Sequence, residues 1–287
     1  MAERNLIIGG FTNYNINQLK PWVLSALGVV DADTDIVLMC GNASKETVTW
    51  LTKLGVLVYP MLPVQGVPIH VLRFLSIYDY LKKHGEQYEY VVTTDVKDVY
   101  FQKNPFTSMR KIMSSDNAIK LIAASEGLKY KDESWGDENL KQAYGQYVYD
   151  HFKNNEICNV GTFGGKSEYV RDMVFNIFTN AINRPIPVCD QAVFNVLINT
   201  KPISDSVIVT NEWAAELGTI MDPSKIDGFR PNLIFGEPTF ENGVLRSHYG
   251  EIFPIVHQYD RVPMLKKFVQ EKFEQDDESQ LFVYKTT

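Results

Sequence analysis

Residues Tyr88–Phe106 read YEYVVTTDVKDVYFQKNPF, a strand pattern that leads directly into acidic residues and then into a turn that ends at a proline. Val91 and Val92 form the apolar approach, and Asp95 and Asp98 follow where the strand should end. In open α/β sheets, ligands bind outside the carboxyl ends of the strands. Two carboxylates at such a position supply the oxygen ligands that divalent cations prefer. The alternative is a solvated strand end, or an aspartate that caps the following turn.

Length, charge and cysteine content narrow the class of protein. The chain has 287 residues, of which 45% are hydrophobic, so it can bury one large core or two modest ones. Its net charge of −7 argues against a nucleic-acid partner, which would need clustered Lys and Arg. No run of about 18 apolar residues is present, so we expect no transmembrane segment. The start MAERNLIIGG lacks the features of a secretory signal, and Cys40, Cys158 and Cys189 form no CxxC pair, which predicts reduced thiols and a cytoplasmic location.

Apolar runs and helical periodicities alternate along the first half of the chain. The predicted strands are Leu6–Gly10, Ile36–Cys40, Val56–Tyr59, the strand before Asp95, and Leu121–Ala124. The predicted helices run from Leu19 to Leu27, from Ser44 to Gly55, and from Ile69 to His84. Strands that alternate with helices imply a largely parallel sheet with helices on both faces. The predicted fold class is therefore α/β, with a Rossmann-like, mostly parallel sheet.

The second half of the chain begins with a different composition. Residues Glu126–Phe152 are charged, glycine-containing and aromatic, and we interpret their aromatic residues as loop residues. Further on, the pattern predicts these elements: a strand at Asn159–Phe163, helices at Val170–Ala181 and Asp190–Ile198, and a strand at Val207–Val209. No linker separates two domains, so we expect a single domain over residues 1–275 and an acidic tail over 276–287.

Several common catalytic motifs are missing or incomplete. Gly161–Ser167 reads GTFGGKS and resembles a phosphate loop, GxxxxGK[ST], but it is one residue short because Val160 stands where the first glycine belongs. We interpret these glycines as allowing a close backbone approach or a tight turn. The sequence contains no GxSxG, HExxH or GxGxxG motif, so serine hydrolases, zinc proteases and dinucleotide-dependent oxidoreductases lack support.

Four short blocks, taken in order, resemble the nucleotide-sugar glycosyltransferases of the GT-A fold, and the resemblance extends over residues Asn5–Arg261. The blocks are TTDVKDVYFQKNP at 93–105, Asn159-Val160-Gly161, Cys189-Asp190-Gln191 with Phe194-Asn195, and IVHQYDR at 255–261. The resemblance implies transfer of a hexose, or a pentose such as xylose, from a nucleoside diphosphate sugar to a hydroxyl of a glycan or other acceptor. It implies a UDP-sugar as donor, a divalent cation (Mn²⁺, with Mg²⁺ as the alternative), a donor half over about 1–125 and an acceptor half over about 126–275.

The aspartate block departs from the DxD motif of that family. Alignment through the turn DVYFQKNP puts Asp98 at the second aspartate of the motif and Val96 opposite the first. Asp95 is then displaced by one position, which along a regular strand points its side chain to the other face of the sheet. Either a bulge brings both carboxylates together, or only one of them binds the metal.

The resemblance also implies roles at the metal and on the donor. Asp95 and Asp98 would bind the cation, with His257 as a third ligand or a direct contact to the diphosphate. His248, in His248-Tyr249-Gly250, is the rival histidine. The residues expected to contact the donor are Phe11, Thr12, Asn13, Arg73, Thr94, Asp95 and Arg261. Arg73 either pairs with an aspartate near the diphosphate or forms a buried structural ion pair.

On the acceptor side, the implied contacts are Trp135, Tyr144, Asn159, Gly161 and Gln191. Trp135 and Tyr144, with Tyr130, would form an apolar wall against an acceptor sugar, unless these aromatic residues only cover the core. Three roles are open for Asp190: general base in an inverting reaction, orientation of a sugar hydroxyl in a retaining one, or a cap on its helix.

Two other classes of function remain open. A nucleotidyltransferase that makes the activated sugar would share the sheet and the acidic residues, but it should carry a glycine- and lysine-rich first loop. Gly9–Asn13 contains neither Lys nor Arg. A non-catalytic sugar-binding module would need neither the aspartates nor the Asp190-Gln191 block.

Overall fold

The computed structural model describes residues 4–274, so the acidic tail expected over 276–287 lies outside the described residues. Within this range, a central sheet of seven strands forms the middle of the molecule. Its strands are β1 (Arg4–Phe11), β2 (Thr34–Cys40), β3 (Leu57–Pro60), β4 (Tyr88–Thr94), β6 (Leu121–Lys129), β7 (Glu156–Lys166) and β8 (Val207–Thr210). The remaining strands are β5 (Val99–Phe101), β9 (Ala214–Glu216), β10 (Thr239–Glu241), β11 (Val244–Arg246) and β12 (Ile255–His257).

The strand order of the central sheet is β3-β2-β1-β4-β7-β6-β8. Six strands run in the same direction, and β7 is antiparallel to its neighbours β4 and β6. The predicted α/β class with a mostly parallel sheet is therefore confirmed. From β1, the chain passes to β2 on one side and later returns to β4 on the other, so the order reverses between β1 and β4. A crevice opens at the carboxyl ends of strands at such a point, and this is where open α/β sheets bind ligands.

Helices flank the sheet. They are α1 (Ile16–Val29), α2 (Lys45–Lys53), α3 (Ile69–His84), α4 (Pro105–Met113), α5 (Ser134–Phe152), α6 (Ser167–Ala181), α7 (Asp190–Ile198), α8 (Leu217–Ile220), α9 (Ile226–Phe229) and α10 (Pro263–Glu274). The predicted start of α2 is confirmed, because the Ser44 side chain accepts a hydrogen bond from the backbone N–H of Thr47. Within residues 4–274, none of these helices has both the length and the apolar character needed to cross a membrane.

Successive residues of the strands pack on opposite faces of the sheet, as the strand period requires. In β1, Ile7 lies in the core that faces α1, whereas Leu6 and Ile8 lie in the core that faces α3, α6 and α7. Val91 and Val92 of β4 are divided in the same way. The central strands are buried on both faces, and this explains why their sequences are almost continuously apolar.

The segment Glu126–Phe152 differs from the interpretation as a loop. Strand β6 extends to Lys129, and α5 begins at Ser134. The carboxylate of Glu133 accepts hydrogen bonds from the first backbone N–H groups of α5 and thereby caps it. Glutamate is not among the preferred capping residues, so the sequence carries no ordinary start signal for this helix.

The glycines of Gly161–Ser167 lie in β7 rather than in a phosphate loop, and α6 begins at Ser167. A Cβ atom on Gly165 would overlap the backbone of Lys120 on the neighbouring chain segment. The interpretation as a close backbone approach is therefore confirmed.

A small second sheet packs into the same core as α1 and has the order β5-β12-β9. Strand β12 is antiparallel to β5 and parallel to β9. Because β5 follows β4 after a four-residue connection, Asp95–Asp98, this small sheet ends beside the carboxyl end of β4. Its register pairs His257 with Val99 on one side and with Glu216 on the other.

Candidate metal centre

Three ligand atoms converge at the carboxyl end of β4: Oδ2 of Asp95, Oδ1 of Asp98 and Nε2 of His257. The imidazole Nε2 lies 3.6 Å from each of the two carboxylate oxygens, and all three atoms lie within 4.8 Å of one another. Two ligands at right angles around a cation, each about 2.1–2.5 Å from it, are about 3.0–3.5 Å apart. The spacing and the donor types therefore suit a divalent cation.

A turn, rather than a bulge, brings Asp95 and Asp98 together. Strand β4 ends at Thr94, although the backbone N–H of Asp95 still donates to the carbonyl of Gly161 across a 2.7 Å N–O distance. The chain then turns, with the side chain of Val96 buried in the core, and β5 begins directly after Asp98. Because the residues between the aspartates leave the strand, the alternation of faces no longer separates the two carboxylates.

His257 is the histidine that reaches this cluster. Its side chain is 2% exposed, and its Nδ1 lies 2.6 Å from Oε2 of Glu216. Burial lowers the pKa of His257, but the charges of Glu216 and Asp98 outweigh burial and raise the pKa to about 9. Such a concentration of negative charge around the imidazole favours a bound cation. His248 lies elsewhere, where its ring stacks on Phe235.

Gly161 forms the back of the cluster. A Cβ atom on this residue would lie 2.6 Å from Cε1 of His257 and 2.9 Å from Oδ2 of Asp95. The backbone N–H of Gly161 donates to the side-chain oxygen of Asn159, 2.7 Å away. The Asn-x-Gly block therefore places a residue without a side chain against two of the three ligands.

Arg73 links the cluster to Asp190. On α3, its guanidinium forms an ion pair with Oδ1 of Asp95, and Nη2 lies 3.6 Å from Oδ2 of Asp190. The side chain is 12% exposed, and its Nε has no hydrogen-bond partner within residues 4–274. Burial lowers the pKa of Arg73, and the charges of Asp190 and Asp98 oppose that effect. The ion pair of Arg73 with Asp95 is half-buried, and a position of this guanidinium near a bound diphosphate stays a prediction.

Asp190 is the first residue of α7 and not its cap. The capping position is Cys189, where no side chain bonds to the helix N-terminus. The Asp190 carboxylate is turned toward Arg73 instead. The role as a helix cap is therefore not the one that the structure gives to this side chain.

Glu126 joins Asn159 and Gln191, two of the predicted acceptor residues, and the sequence pattern did not indicate it. Its Oε1 accepts hydrogen bonds from Nδ2 of Asn159 at 2.7 Å and from Nε2 of Gln191 at 3.0 Å. Burial, reinforced by the charges of Glu216 and Glu133, raises the pKa of Glu126 to about 8. Glu126 lies in the part of β6 that continues beyond the predicted end at Ala124. A single glutamate beside an aromatic stretch does not by itself indicate a functional site.

The loop after β1 forms one wall of the crevice. Phe11 is buried and stacks on Tyr14, and Asn13 adopts a left-handed φ of 59° and accepts a hydrogen bond from Asn42. Thr12 lies close to the backbone at Gly41. Burial raises the pKa of the Tyr14 phenol, and the charge of Asp98 contributes to the rise.

A depression of about 400 Å³ is lined by Asn13, Tyr14 and Asn42, among others. Of the residues that line it, Tyr14 is the one whose phenol pKa is affected by the charge of Asp98.

Two of the predicted donor residues lie outside the cluster. The hydroxyl of Thr94 accepts a 2.7 Å hydrogen bond from Nε1 of Trp22 and is buried in the core. Arg261 has a side chain that is 57% exposed, and its ionic contact within residues 4–274 is with Asp260, 3.7 Å away.

Trp135 and Tyr144 do not form a common wall. Both lie on α5 and are nine residues apart. Nine residues make two and a half helical turns, so the two side chains point to opposite sides of the helix. Trp135 is 51% exposed, whereas the ring of Tyr144 packs on the guanidinium of Arg184, 4.1 Å away. Tyr130 is buried and covers the core.

No protein-family model matches the sequence, and no curated protein matches it either. The functional inference therefore depends on the ligand atoms of Asp95, Asp98 and His257 and on the charged residues around them.

Proposed function

We propose that this protein is a glycosyltransferase of the GT-A fold, which transfers a sugar from a nucleoside diphosphate sugar to a hydroxyl of a glycan or other acceptor. The observation that carries the proposal is the convergence of Asp95, Asp98 and His257 beside the reversal of strand order. Two carboxylates and an imidazole suit Mn²⁺, with Mg²⁺ as the harder alternative. When bound, such a cation stabilises the charge of the departing diphosphate.

The donor would occupy the crevice between β1 and β4, with a UDP-sugar as the proposed species. Asn13 and Tyr14 line the depression after β1 and would contact the base and ribose. Arg73 supplies positive charge at the inner end of this crevice, with Nε not used by another side chain of the described residues. A guanidinium at that position would bind a diphosphate oxygen or a sugar hydroxyl.

The acceptor would approach from the side of Asp190, Asn159 and Gln191. The Asp190 carboxylate lies opposite the guanidinium of Arg73, with 3.6 Å between Oδ2 and Nη2. An ionised Asp190 would accept the proton of the acceptor hydroxyl in an inverting reaction, or orient a sugar hydroxyl in a retaining one. The proposed division into a donor half (1–125) and an acceptor half (126–275) then has one exception, since His257 joins the aspartates of the donor half.

The packing of the two glycines at the end of β1 argues against the nucleotidyltransferase alternative. A Cβ atom on Gly9 would lie 2.5 Å from Cγ2 of Val96, and one on Gly10 would lie 3.0 Å from Cβ of Arg73. These glycines therefore serve close packing inside β1. They are not part of a glycine- and lysine-rich loop that would wrap a triphosphate.

A nucleotide panel tests the proposal. We expect UDP with Mn²⁺ to raise the melting temperature of the protein more than UDP or Mn²⁺ alone, and UDP-sugars to release UDP when an acceptor is supplied. Asp98→Asn should lose the joint effect, whereas Asp79→Asn, on the exposed side of α3, should keep it. A protein that responds to no nucleoside diphosphate with either metal would contradict the proposal. Binding without any sugar transfer would favour the sugar-binding module.

A further inference from the structure

Glu216 lies directly behind His257, on the side of the imidazole that faces away from Asp95 and Asp98. It is the last residue of β9 and is 0% exposed. Its Oε2 lies 2.6 Å from Nδ1 of His257. A carboxylate with no access to water is costly unless both of its oxygens are bonded, so its presence here calls for specific partners.

Strand register fixes this arrangement. His257 and Glu216 are paired residues on the adjacent parallel strands β12 and β9, so their side chains emerge on the same face. The second carboxylate oxygen, Oε1, accepts a hydrogen bond from the hydroxyl of Thr162, a fully buried residue of β7. Glu216 is therefore held from two sides and has little freedom to turn away from the imidazole.

The contact determines which ring nitrogen of His257 faces the two aspartates. When Nδ1 carries the proton and donates it to Glu216, Nε2 presents its lone pair toward Asp95 and Asp98. Histidines that bind metals commonly donate their other N–H to a carboxylate in this way, which sets the tautomer and raises the basicity of the ligating nitrogen.

We propose that Glu216 is a positioning residue, which holds the ring and the tautomer of His257 for a divalent cation bound with Asp95 and Asp98. This inference rests on the metal site of the proposed function and extends it by one residue. Glu216 acts only through His257 and does not itself touch the cation. Removing such a partner typically lowers metal affinity about 10–100-fold.

A purely structural role for Glu216 makes a different prediction. If the Glu216–Thr162 contact only joined β9 to β7, its loss would lower the melting temperature and leave metal affinity unchanged. Metal affinity, measured without nucleotide or acceptor, therefore separates the two roles.

The test is calorimetric titration of Mn²⁺ into the parent protein, into Glu216→Gln and into Glu133→Gln. Glu133 is a matched control, because it is also a buried glutamate but its carboxylate bonds to the backbone of α5 and not to a candidate ligand. We expect Glu216→Gln to bind Mn²⁺ about 10–100-fold more weakly than the parent. Glu133→Gln should have a lower melting temperature than the parent and the same affinity for Mn²⁺. Equal affinities in the two variants would overturn the role of Glu216, whereas a parent protein that binds no Mn²⁺ would overturn the metal site itself.

A second measurement does not depend on the folding of a variant. In parent protein with ¹⁵N-labelled histidine, titrated with diamagnetic Zn²⁺, we expect the His257 signals to show a proton on Nδ1 and none on Nε2. The signals can be assigned by their loss in His257→Gln. A zinc-loaded protein with the proton of His257 on Nε2 would overturn the proposal.

Discussion

The imidazole of His257 packs against the backbone of Gly161. A Cβ atom on Gly161 would lie 2.6 Å from Cε1 of this ring, which is too close for any residue with a side chain. The same atom would lie 2.9 Å from the Asp95 oxygen that faces His257. The backbone of β7 at Gly161 therefore contacts two candidate metal ligands, and their side chains occupy the volume that a Cβ atom would need.

Gly161→Ala should weaken Mn²⁺ binding at least about tenfold, because His257 and Asp95 must both shift to make room. Overpacking of this kind also typically costs about 1–3 kcal/mol of stability. Gly28→Ala is the control, since a Cβ there meets no atom within 4 Å, and on α1 it should stabilise the protein slightly. Calorimetric titration and urea unfolding measure both effects. Unchanged Mn²⁺ affinity in Gly161→Ala would contradict the arrangement of ligands described here.

Asp98→Ala and Asp95→Ala should both abolish sugar transfer but differ in stability. Asp98 has no arginine or lysine partner within residues 4–274, whereas Asp95 forms a half-buried ion pair with Arg73. Loss of Asp95 removes this ion pair and leaves the guanidinium with Asp190, 3.6 Å away, and the charge of Asp98, which we expect to cost up to about 3 kcal/mol of unfolding free energy. Urea unfolding of the two variants tests the difference. Near-normal turnover in Asp98→Ala would show that the metal site is wrongly assigned.

Asp190→Asn should lower kcat by about 10²–10⁴ if its carboxylate accepts the acceptor proton. The melting temperature should also fall, because Arg73 loses a charged partner. Mn²⁺ affinity should stay at the parent value, since Asp190 is not among the three ligands. Steady-state kinetics, calorimetric titration with Mn²⁺ and thermal unfolding of the same variant measure kcat, the metal affinity and the melting temperature. Turnover close to that of the parent would leave Asp190 as a partner of Arg73 and nothing more.

Glu126→Gln should change how stability depends on pH. The ordinary pKa of this carboxyl is 4.5 and the native value is about 8, so between these values the native protein holds a proton that the unfolded chain has lost. The unfolding free energy of the parent therefore falls as pH rises through this window, and the Glu126 contribution levels off above pH 8. Glutamine still accepts hydrogen bonds from Asn159 and Gln191, and it removes this contribution.

Relative to the parent, Glu126→Gln should gain stability by up to about 1.4 kcal/mol per pH unit across that range. Urea unfolding in steps from pH 5 to pH 8.5 provides the comparison. Parallel curves for the two proteins would mean that Glu126 is ionised in the native state at neutral pH.

The capping and burial signals along the chain were sufficient to predict most of the central sheet and its helices. Ser44 and Gly55 mark the ends of α2, and the cationic residues before Gly85 mark the end of α3. The start of α5 carries no such signal, because its cap is the glutamate Glu133. The sequence therefore does not reveal that Trp135 and Tyr144 lie on opposite sides of a helix.

The order of amino acids by itself was enough to locate the strand that leads to Asp95, the alternation of strands with helices, and the polar blocks at Asn159 and Asp190. Burial period and turn residues are local properties, and they can be read within a few residues of chain. The tertiary structure alone decided which polar side chains meet. Glu216 and His257 are 41 residues apart and come together through two three-residue strands. Strands of three residues carry no local signal for their partner or register, which only packing of the whole chain selects.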